Sequence, residues 1–259
     1  MPEAPLHTYL KKRISHEGPY EDLLDFPLYF EIETVNACNA RCPFCTIDDW
    51  HRHSPTMKMD LFRKIADEII ENKERTRRVA LYRDGEPLLD KKMPDRIAYL
   101  KEGGVDKVGI STNVSLLNEE NSRRLLESGI DEIILSIDSM RKDVFEAMRV
   151  RLKFEEVKEN ALRFIEMRNR MNTNTQVWVR MIATDKNRDE WPEYEAFWKP
   201  RLRDSDRLYW HSEHNWGDQL DAAANRAMSY EPTLPCVALW SLMVIFSDGR
   251  VPLCNVDYN

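Results

Sequence analysis

Short apolar runs alternate with longer amphipathic segments along most of the chain. The apolar runs predict six strands, at residues 28–34, 78–83, 107–112, 131–138, 176–183 and 206–210. Between them, apolar positions recur at the three- and four-residue spacing of a helix face, as in residues 59–73 and 154–171. Strands that alternate with helices of this length predict βαβ units and a parallel sheet.

The number of these units defines the expected fold. Six are too few for a closed eight-stranded barrel, so we predict an α/β fold of the partial (β/α)6, TIM-like type. The polar, Ala- and Asn-rich stretch 217–235 is expected to be a linker. After it, apolar runs at 242–246 and 251–256 flank a Ser-Asp-Gly-Arg turn, which predicts a small C-terminal β-hairpin appendage.

Composition and charge exclude several classes of protein. Apolar residues make up 42% of the chain and charged residues 32%, as in ordinary globular proteins. The formal net charge of -7 gives no reason to expect binding to nucleic acid or to an anionic membrane. The sequence has neither a secretory signal nor an apolar run of about 18 residues that could span a membrane. We therefore expect a cytoplasmic protein.

The cysteines carry the clearest chemical signal. Three of the five form a Cys-x3-Cys-x2-Cys motif at Cys38, Cys42 and Cys45, which favours metal ligation in a reducing compartment over disulfides. Three thiolates on one loop can hold three irons of a [4Fe–4S] cluster and leave the fourth iron open, as an enzyme needs. The alternative is a zinc-binding module without redox chemistry, completed by His51 or His53.

The loop, with Phe44 directly before its third cysteine, resembles that of the radical S-adenosylmethionine (radical SAM) superfamily. The resemblance implies that SAM binds the open iron through its amino and carboxylate groups. It also implies that an electron from the cluster cleaves SAM to methionine and a 5′-deoxyadenosyl radical, which abstracts hydrogen from a substrate. The expected partner is an electron donor such as flavodoxin or ferredoxin. An inactive SAM-binding relative is a further alternative.

The segment after the second predicted strand extends the resemblance. Residues 83–87 read Arg-Asp-Gly-Glu-Pro and resemble the Gly-Gly-Glu-Pro element of the superfamily, with Asp84 in place of the first glycine. Gly85 allows close approach of the backbone, and the resemblance assigns the Glu86 carboxylate to the SAM ammonium. The alternative is an ordinary Asp-Gly turn.

Polar residues also end the next strands. Asn113 lies in a segment similar to the superfamily's Thr-Asn-Gly, with Val114 in the glycine position. Strand alternation places Ser136 and Asp138 on one face, where they are expected to bind the SAM ribose. The resemblance suggests that Arg180 binds the SAM carboxylate, a task suited to a guanidinium. The alternatives are turn capping for the first three side chains and an edge salt bridge for the arginine.

Two further cysteines, Cys236 and Cys254, resemble the opening of a SPASM or twitch appendage, which carries an auxiliary cluster in many radical SAM enzymes. We therefore expect a barrel over residues 1–216, followed by a linker and the start of this appendage over residues 217–259. Two thiolates cannot hold a conventional cluster. An auxiliary iron–sulfur cluster is thus expected only in a longer protein, and this sequence is expected to end inside the appendage.

The substrate is the least defined part of the prediction. Known members of the SPASM/twitch group include enzymes that modify peptides and dehydrogenases that act on sugar-like alcohols. The chain shows no separate N-terminal domain to grip a leader peptide. This favours oxidation or rearrangement of a small molecule or sugar, with a peptide as the alternative. No catalytic acid or base is assigned. His211 and His214 are expected to be solvated loop residues, with substrate contact or proton relay as the alternative.

Overall fold

The computed structural model describes residues 26–52, 56–214, 216 and 238–259. Seven parallel strands form one sheet in the order β6-β5-β4-β3-β2-β1-β7. The strands are β1 (Tyr29–Ile32), β2 (Arg78–Ala80), β3 (Val108–Thr112), β4 (Glu132–Ser136), β5 (Gln176–Ala183), β6 (Arg207–Ser212) and β7 (Leu242–Ile245). The sheet does not close between β6 and β7, which confirms the predicted partial barrel.

Helices follow most of the strands, as the amphipathic segments predict. The α-helices are α1 (Met59–Glu71), α2 (Met93–Glu102), α3 (Glu119–Glu127), α4 (Lys142–Met148), α5 (Phe154–Met171), α6 (Trp191–Trp198) and α7 (Ala238–Ser241). Among the described residues, no helix is both long enough and apolar enough to cross a bilayer.

The last strand differs from the sequence prediction. Residues Leu242–Ile245 pair in parallel with β1, in the register Tyr29↔Leu242, instead of pairing with the chain that follows them. The predicted turn does form, because the Gly249 N–H donates to the Phe246 carbonyl at 2.9 Å. Residues 251–256 form no strand. Pairing with β1 satisfies backbone groups of β7 within the main sheet, which the local pattern of residues could not reveal.

The two faces of the sheet have different roles. The outward face and the helices form the main hydrophobic core, to which Ile133 and Leu135 of β4 belong. On the opposite face, Ile134, Trp178 and Tyr209 form a separate buried cluster inside the barrel. Strand alternation thus separates a packed outer layer from an interior that carries the polar groups near the carboxyl ends of the strands.

One buried ion pair secures the edge of the sheet at β5 and β6. The Arg168 guanidinium on α5 binds Asp206 through two hydrogen bonds of 2.8 and 2.7 Å. Both side chains are inaccessible to solvent. Burial alone would raise the pKa of Asp206, but hydrogen bonds from Arg168 and from two backbone N–H groups outweigh it and lower the pKa.

We predict that Asp206→Asn lowers the free energy of unfolding by about 3 kcal/mol, because it leaves the buried Arg168 charge unpaired. The contribution of Asp206 is present above its unfolded pKa of about 3.9 and is lost as the pH falls through the lower folded value. Urea denaturation at several pH values measures both effects. Asp204→Asn, at an exposed neighbouring position, is the control, and equal stability of the two variants would contradict the prediction.

Candidate functional site

The three cysteines lie on the loop that follows β1, at the carboxyl edge of the sheet. Each thiol is partly buried and none is in a disulfide. The Ala40 N–H lies 3.4 Å from Cys38 Sγ, and the Cys45 N–H donates to the Cys42 carbonyl at 3.0 Å. Burial raises the pKa of all three thiols, that of Cys45 to about 12. A metal that binds here must therefore displace three protons.

The chemistry of this donor set fits an iron–sulfur cluster. Within the described ranges, no group of three or more His, Cys, Asp or Glu side chains is arranged to hold a single metal ion. His51 is exposed, and His53 lies outside the described residues. A [4Fe–4S] cluster needs a different arrangement, with each thiolate on its own iron. Three thiols on one loop supply that arrangement.

The loop after β2 packs directly on the cysteine loop. A Cβ atom at Gly85 would lie 2.4 Å from the Val35 carbonyl oxygen and 2.7 Å from that of Ala37. The Glu86 N–H donates to the same Ala37 carbonyl at 2.8 Å. A side chain at position 85 would therefore separate the two loops, which explains why this position needs glycine.

Glu86 is fully buried and lies between the carboxyl ends of β2 and β3. Its carboxylate accepts hydrogen bonds from the Thr112 hydroxyl at 2.7 Å and from the Asn113 N–H at 2.7 Å. The Leu88 N–H donates to it at 3.1 Å. Burial raises the pKa of Glu86, while these three donors oppose the shift. Glu86 thus joins the end of β2 to the end of β3, and its predicted contact with the SAM ammonium remains a prediction.

The residues after β3 also face the cysteine loop. The Asn113 amide donates to the Asn39 side chain at 2.8 Å and lies 3.8 Å from Cys38 Sγ. Val114 has a φ of 71°, in the left-handed region that normally favours glycine. The chain therefore follows a glycine-type turn here, although a branched residue occupies the position.

Ser136 and Arg180 meet on the inner face of the sheet. The Arg180 Nη2 group donates to Ser136 Oγ at 2.6 Å and to Ser111 Oγ at 3.3 Å, and Arg180 Nε is buried without a hydrogen-bond partner. The sequence prediction missed Ser111, although alternation along β3 places it on the inner face. This arrangement leaves guanidinium donor capacity for an anionic ligand.

Asp138 is more enclosed than its predicted role implies. One carboxylate oxygen accepts from the Ile182 N–H at 2.8 Å, and the other accepts from Arg149 Nε at 2.6 Å. The side chain is fully buried. Its predicted contact with the SAM ribose remains a prediction, and its observed contacts tie β4 to β5 and to the end of α4.

Sequence reasoning missed Arg149, which follows α4. Its Nη1 lies 3.6 Å from Cys42 Sγ, and its guanidinium lies 5.4 Å from the centre of the Phe44 ring. An arginine at the end of a short helix carries no local signal of such a role. Only the fold brings it to the cysteine loop.

His211 belongs to β6 and is not a solvated loop residue. It pairs in register with Ile182 of β5, and its Nδ1 lies 2.7 Å from the Ser212 carbonyl oxygen. Burial, followed by the charge of Arg180, lowers the pKa of His211 to about 4. The imidazole is therefore neutral near pH 7 and presents Nε2 as an acceptor. His214 is exposed, as predicted.

The predicted auxiliary-cluster cysteines are only partly described. Cys254 is exposed on the segment after the Gly249 turn. Cys236 and the predicted linker 217–235 lie outside the described residues, whereas the segment 238–259 is described. The predicted place of the two cysteines in an auxiliary-cluster appendage therefore remains a prediction.

Comparison with known families and curated proteins adds a second line of information. The model of the Radical SAM superfamily matches residues 32–193. The chain is 26% identical over 166 residues to the tungsten-containing aldehyde ferredoxin oxidoreductase cofactor-modifying protein of Pyrococcus furiosus, covering 64% of this chain and 46% of that protein. It is 30% identical over 137 residues to GTP 3',8-cyclase of Chlorobaculum tepidum, covering 50% and 38%. The chain thus spans about half or less of these relatives.

Solved structures share the fold at low sequence identity. Streptococcus suis SuiB bound to precursor peptide SuiA has a TM-score of 0.70 and 14% identity, covering 97% of this chain and 63% of that chain. BtrN in complex with AdoMet and 2-DOIA has a TM-score of 0.57 and 19% identity, covering 91% and 76%. Native anSMEcpe with bound AdoMet has a TM-score of 0.62 and 15% identity, covering 90% and 76%.

We predict that Gly85→Ala separates the cysteine loop from the loop after β2. Overpacking of this kind costs about 1–3 kcal/mol, and here the neighbouring atoms are backbone oxygens that cannot rotate away. The variant should bind less iron than the wild type after anaerobic reconstitution and should unfold at a lower urea concentration. Wild-type iron content and stability in this variant would contradict the close packing.

Proposed function

The chain belongs to the radical SAM superfamily, and on this premise we propose that it is an enzyme that cleaves SAM reductively at a [4Fe–4S] cluster. Members of this family use that cluster together with SAM. The observation that carries the proposal is the Cys38, Cys42 and Cys45 loop, which lies at the carboxyl edge of the sheet against Gly85 and Asn113. Together the cluster and SAM would supply a radical that abstracts hydrogen from the substrate.

The neighbouring side chains divide into two groups by their capacity to bind a ligand. Arg180 retains an unpartnered buried donor and faces the barrel interior with Ser136, which supports its assignment to the SAM carboxylate. Glu86 and Asp138 already have protein donors at both carboxylate oxygens. We assign these two chiefly to the positioning of strand ends and loops, with Glu86 also supplying negative charge near the SAM ammonium.

The polar interior supports a small, hydroxyl-bearing substrate. Ser111 and neutral His211 present a hydroxyl and an acceptor nitrogen on the inner face. Such groups suit a sugar-like molecule that carries several hydroxyls. The similar BtrN structure contains 2-DOIA and the SuiB structure contains a precursor peptide, so both substrate classes belong in the test. A low-potential donor such as flavodoxin or ferredoxin is the proposed source of electrons.

We predict that Cys38→Ala, Cys42→Ala and Cys45→Ala each abolish SAM cleavage, because each thiolate holds one iron and none is redundant. The measurement is 5′-deoxyadenosine formation after anaerobic reconstitution, with dithionite, SAM and candidate sugars or peptides. Cys254→Ala is the matched control, since that thiol is exposed and lies outside the cysteine loop. Full cleavage by any of the three loop variants would reject the assignment.

We also predict that Arg180→Ala weakens SAM binding while iron content stays near four per chain. Glu86→Ala should weaken SAM binding and also lower iron content, because the Glu86 carboxylate positions the strand ends beside the cysteine loop. Loss of a charge-assisted contact costs about 1.5–3 kcal/mol, or about tenfold to a hundredfold in affinity. Calorimetric titration of reconstituted protein with SAM measures the change. An unchanged Kd for either variant would remove that residue from the proposed SAM site.

A further inference from the structure

Arg149 brings a buried positive charge to one of the three cysteines. Its side chain is 10% exposed, and its Nη1 lies 3.6 Å from Cys42 Sγ. The other two thiols receive backbone donors, from the N–H groups of Ala40 and Ile47. Cys42 therefore differs from its neighbours in having a charged side-chain donor.

Contacts on several sides hold the Arg149 guanidinium in place. Asp138 accepts from Arg149 Nε at 2.6 Å, and Asp138 is itself held by the Ile182 N–H at 2.8 Å. The backbone beside it is tied to the cysteine loop, because the Arg41 N–H donates to the Val150 carbonyl at 3.0 Å. The guanidinium also lies over the Phe44 ring. These contacts direct Nη1 towards Cys42.

One donor of the same guanidinium remains without an acceptor. Arg149 Nη2 is buried and has no hydrogen-bond partner. An unsatisfied buried donor on a charged group is costly, so such atoms commonly mark a ligand-binding position. The donor next to it already points at a cluster ligand, which indicates an anionic group on the cysteine side.

We propose that Arg149, held by Asp138, hydrogen-bonds to the Cys42 thiolate and raises the reduction potential of the cluster. This inference rests on the proposed function, because it assumes that the three cysteines hold a [4Fe–4S] cluster. The reduced cluster carries one more negative charge than the oxidised cluster, so a nearby cation stabilises the reduced form more. Hydrogen bonds to the sulfurs and local charge are known determinants of cluster potentials.

The test compares midpoint potentials, measured by EPR-monitored titration of the reconstituted protein without substrate. Arg149→Met removes the charge and all donors at similar length, whereas Arg149→Lys keeps the charge but cannot reach Asp138 and Cys42 together. Arg151→Met is the matched control, because it makes the same change at an exposed position two residues away. Iron content near four per chain shows that each protein carries one cluster.

We expect the midpoint potential to become more negative in the order wild type, Arg149→Lys, Arg149→Met, with Arg151→Met close to wild type. An unchanged potential in an iron-replete Arg149→Met protein would overturn the inference. So would an equal shift in Arg151→Met, which would indicate a general charge effect. If the Arg149→Met protein fails to hold iron, the Arg149→Lys protein decides the test. A wild-type midpoint potential in Arg149→Lys would then overturn the inference. Wild-type protein that neither binds iron nor cleaves SAM would refute the proposed function itself.

Discussion

The buried carboxylate of Glu86 is the contact on which the arrangement of the site depends. A buried carboxylate is unfavourable unless donors surround it, and here the Thr112 hydroxyl and two backbone N–H groups satisfy it. The backbone N–H of the same residue donates to Ala37 in the cysteine loop. One residue thus connects the chain after β1, β2 and β3. The cysteine loop therefore takes its position from the sheet and not from its own short sequence.

A second charged network supports the loop from the other side. Arg52 forms two hydrogen bonds to Glu33, of 2.5 and 2.8 Å, at the end of β1. It also donates to the Tyr258 carbonyl at 2.8 Å. Arg83 lies 3.3 Å from the buried Asp84 carboxylate and donates to carbonyls of the last residues. The C-terminal segment is consequently packed against the base of the cysteine loop through the same two arginines.

The sequence was sufficient to predict the local features of the site. Periodicity predicted the first six strands, and the spacing of Cys38, Cys42 and Cys45 predicted that the three thiols share one loop, because both depend on neighbouring residues. The need for glycine at position 85 followed from the local motif in the same way. Arg149 and the pairing of β7 could not be predicted. Arg149 is 107 residues from Cys42, and β7 joins the sheet beside β1 by pairing between residues that are distant in sequence.

The enclosure of Asp138 also escaped prediction, for a different reason. Alternation placed Asp138 on the correct strand face. The hydrogen bonds that its carboxylate oxygens accept come from Arg149 and from the backbone of β5, which the alternation does not reveal. A sequence pattern defines the direction of a side chain and not its partners. This distinction changes the chemical interpretation: a carboxylate with satisfied oxygens positions its neighbours, whereas one with free oxygens binds a ligand.

The two departures from the superfamily pattern, Val114 and Asp84, differ in what they require of the backbone. Val114 adopts a φ of 71° in the place of a glycine, a conformation that costs a branched residue about 1–3 kcal/mol. Its side chain is fully buried in the main core, and burial of a valine contributes about 1.5–3 kcal/mol. The two effects are of similar size, so packing offsets the strain. Asp84 needs no such compensation, because its φ is not positive. Its buried carboxylate lies 3.3 Å from Arg83 and 3.9 Å from Arg52.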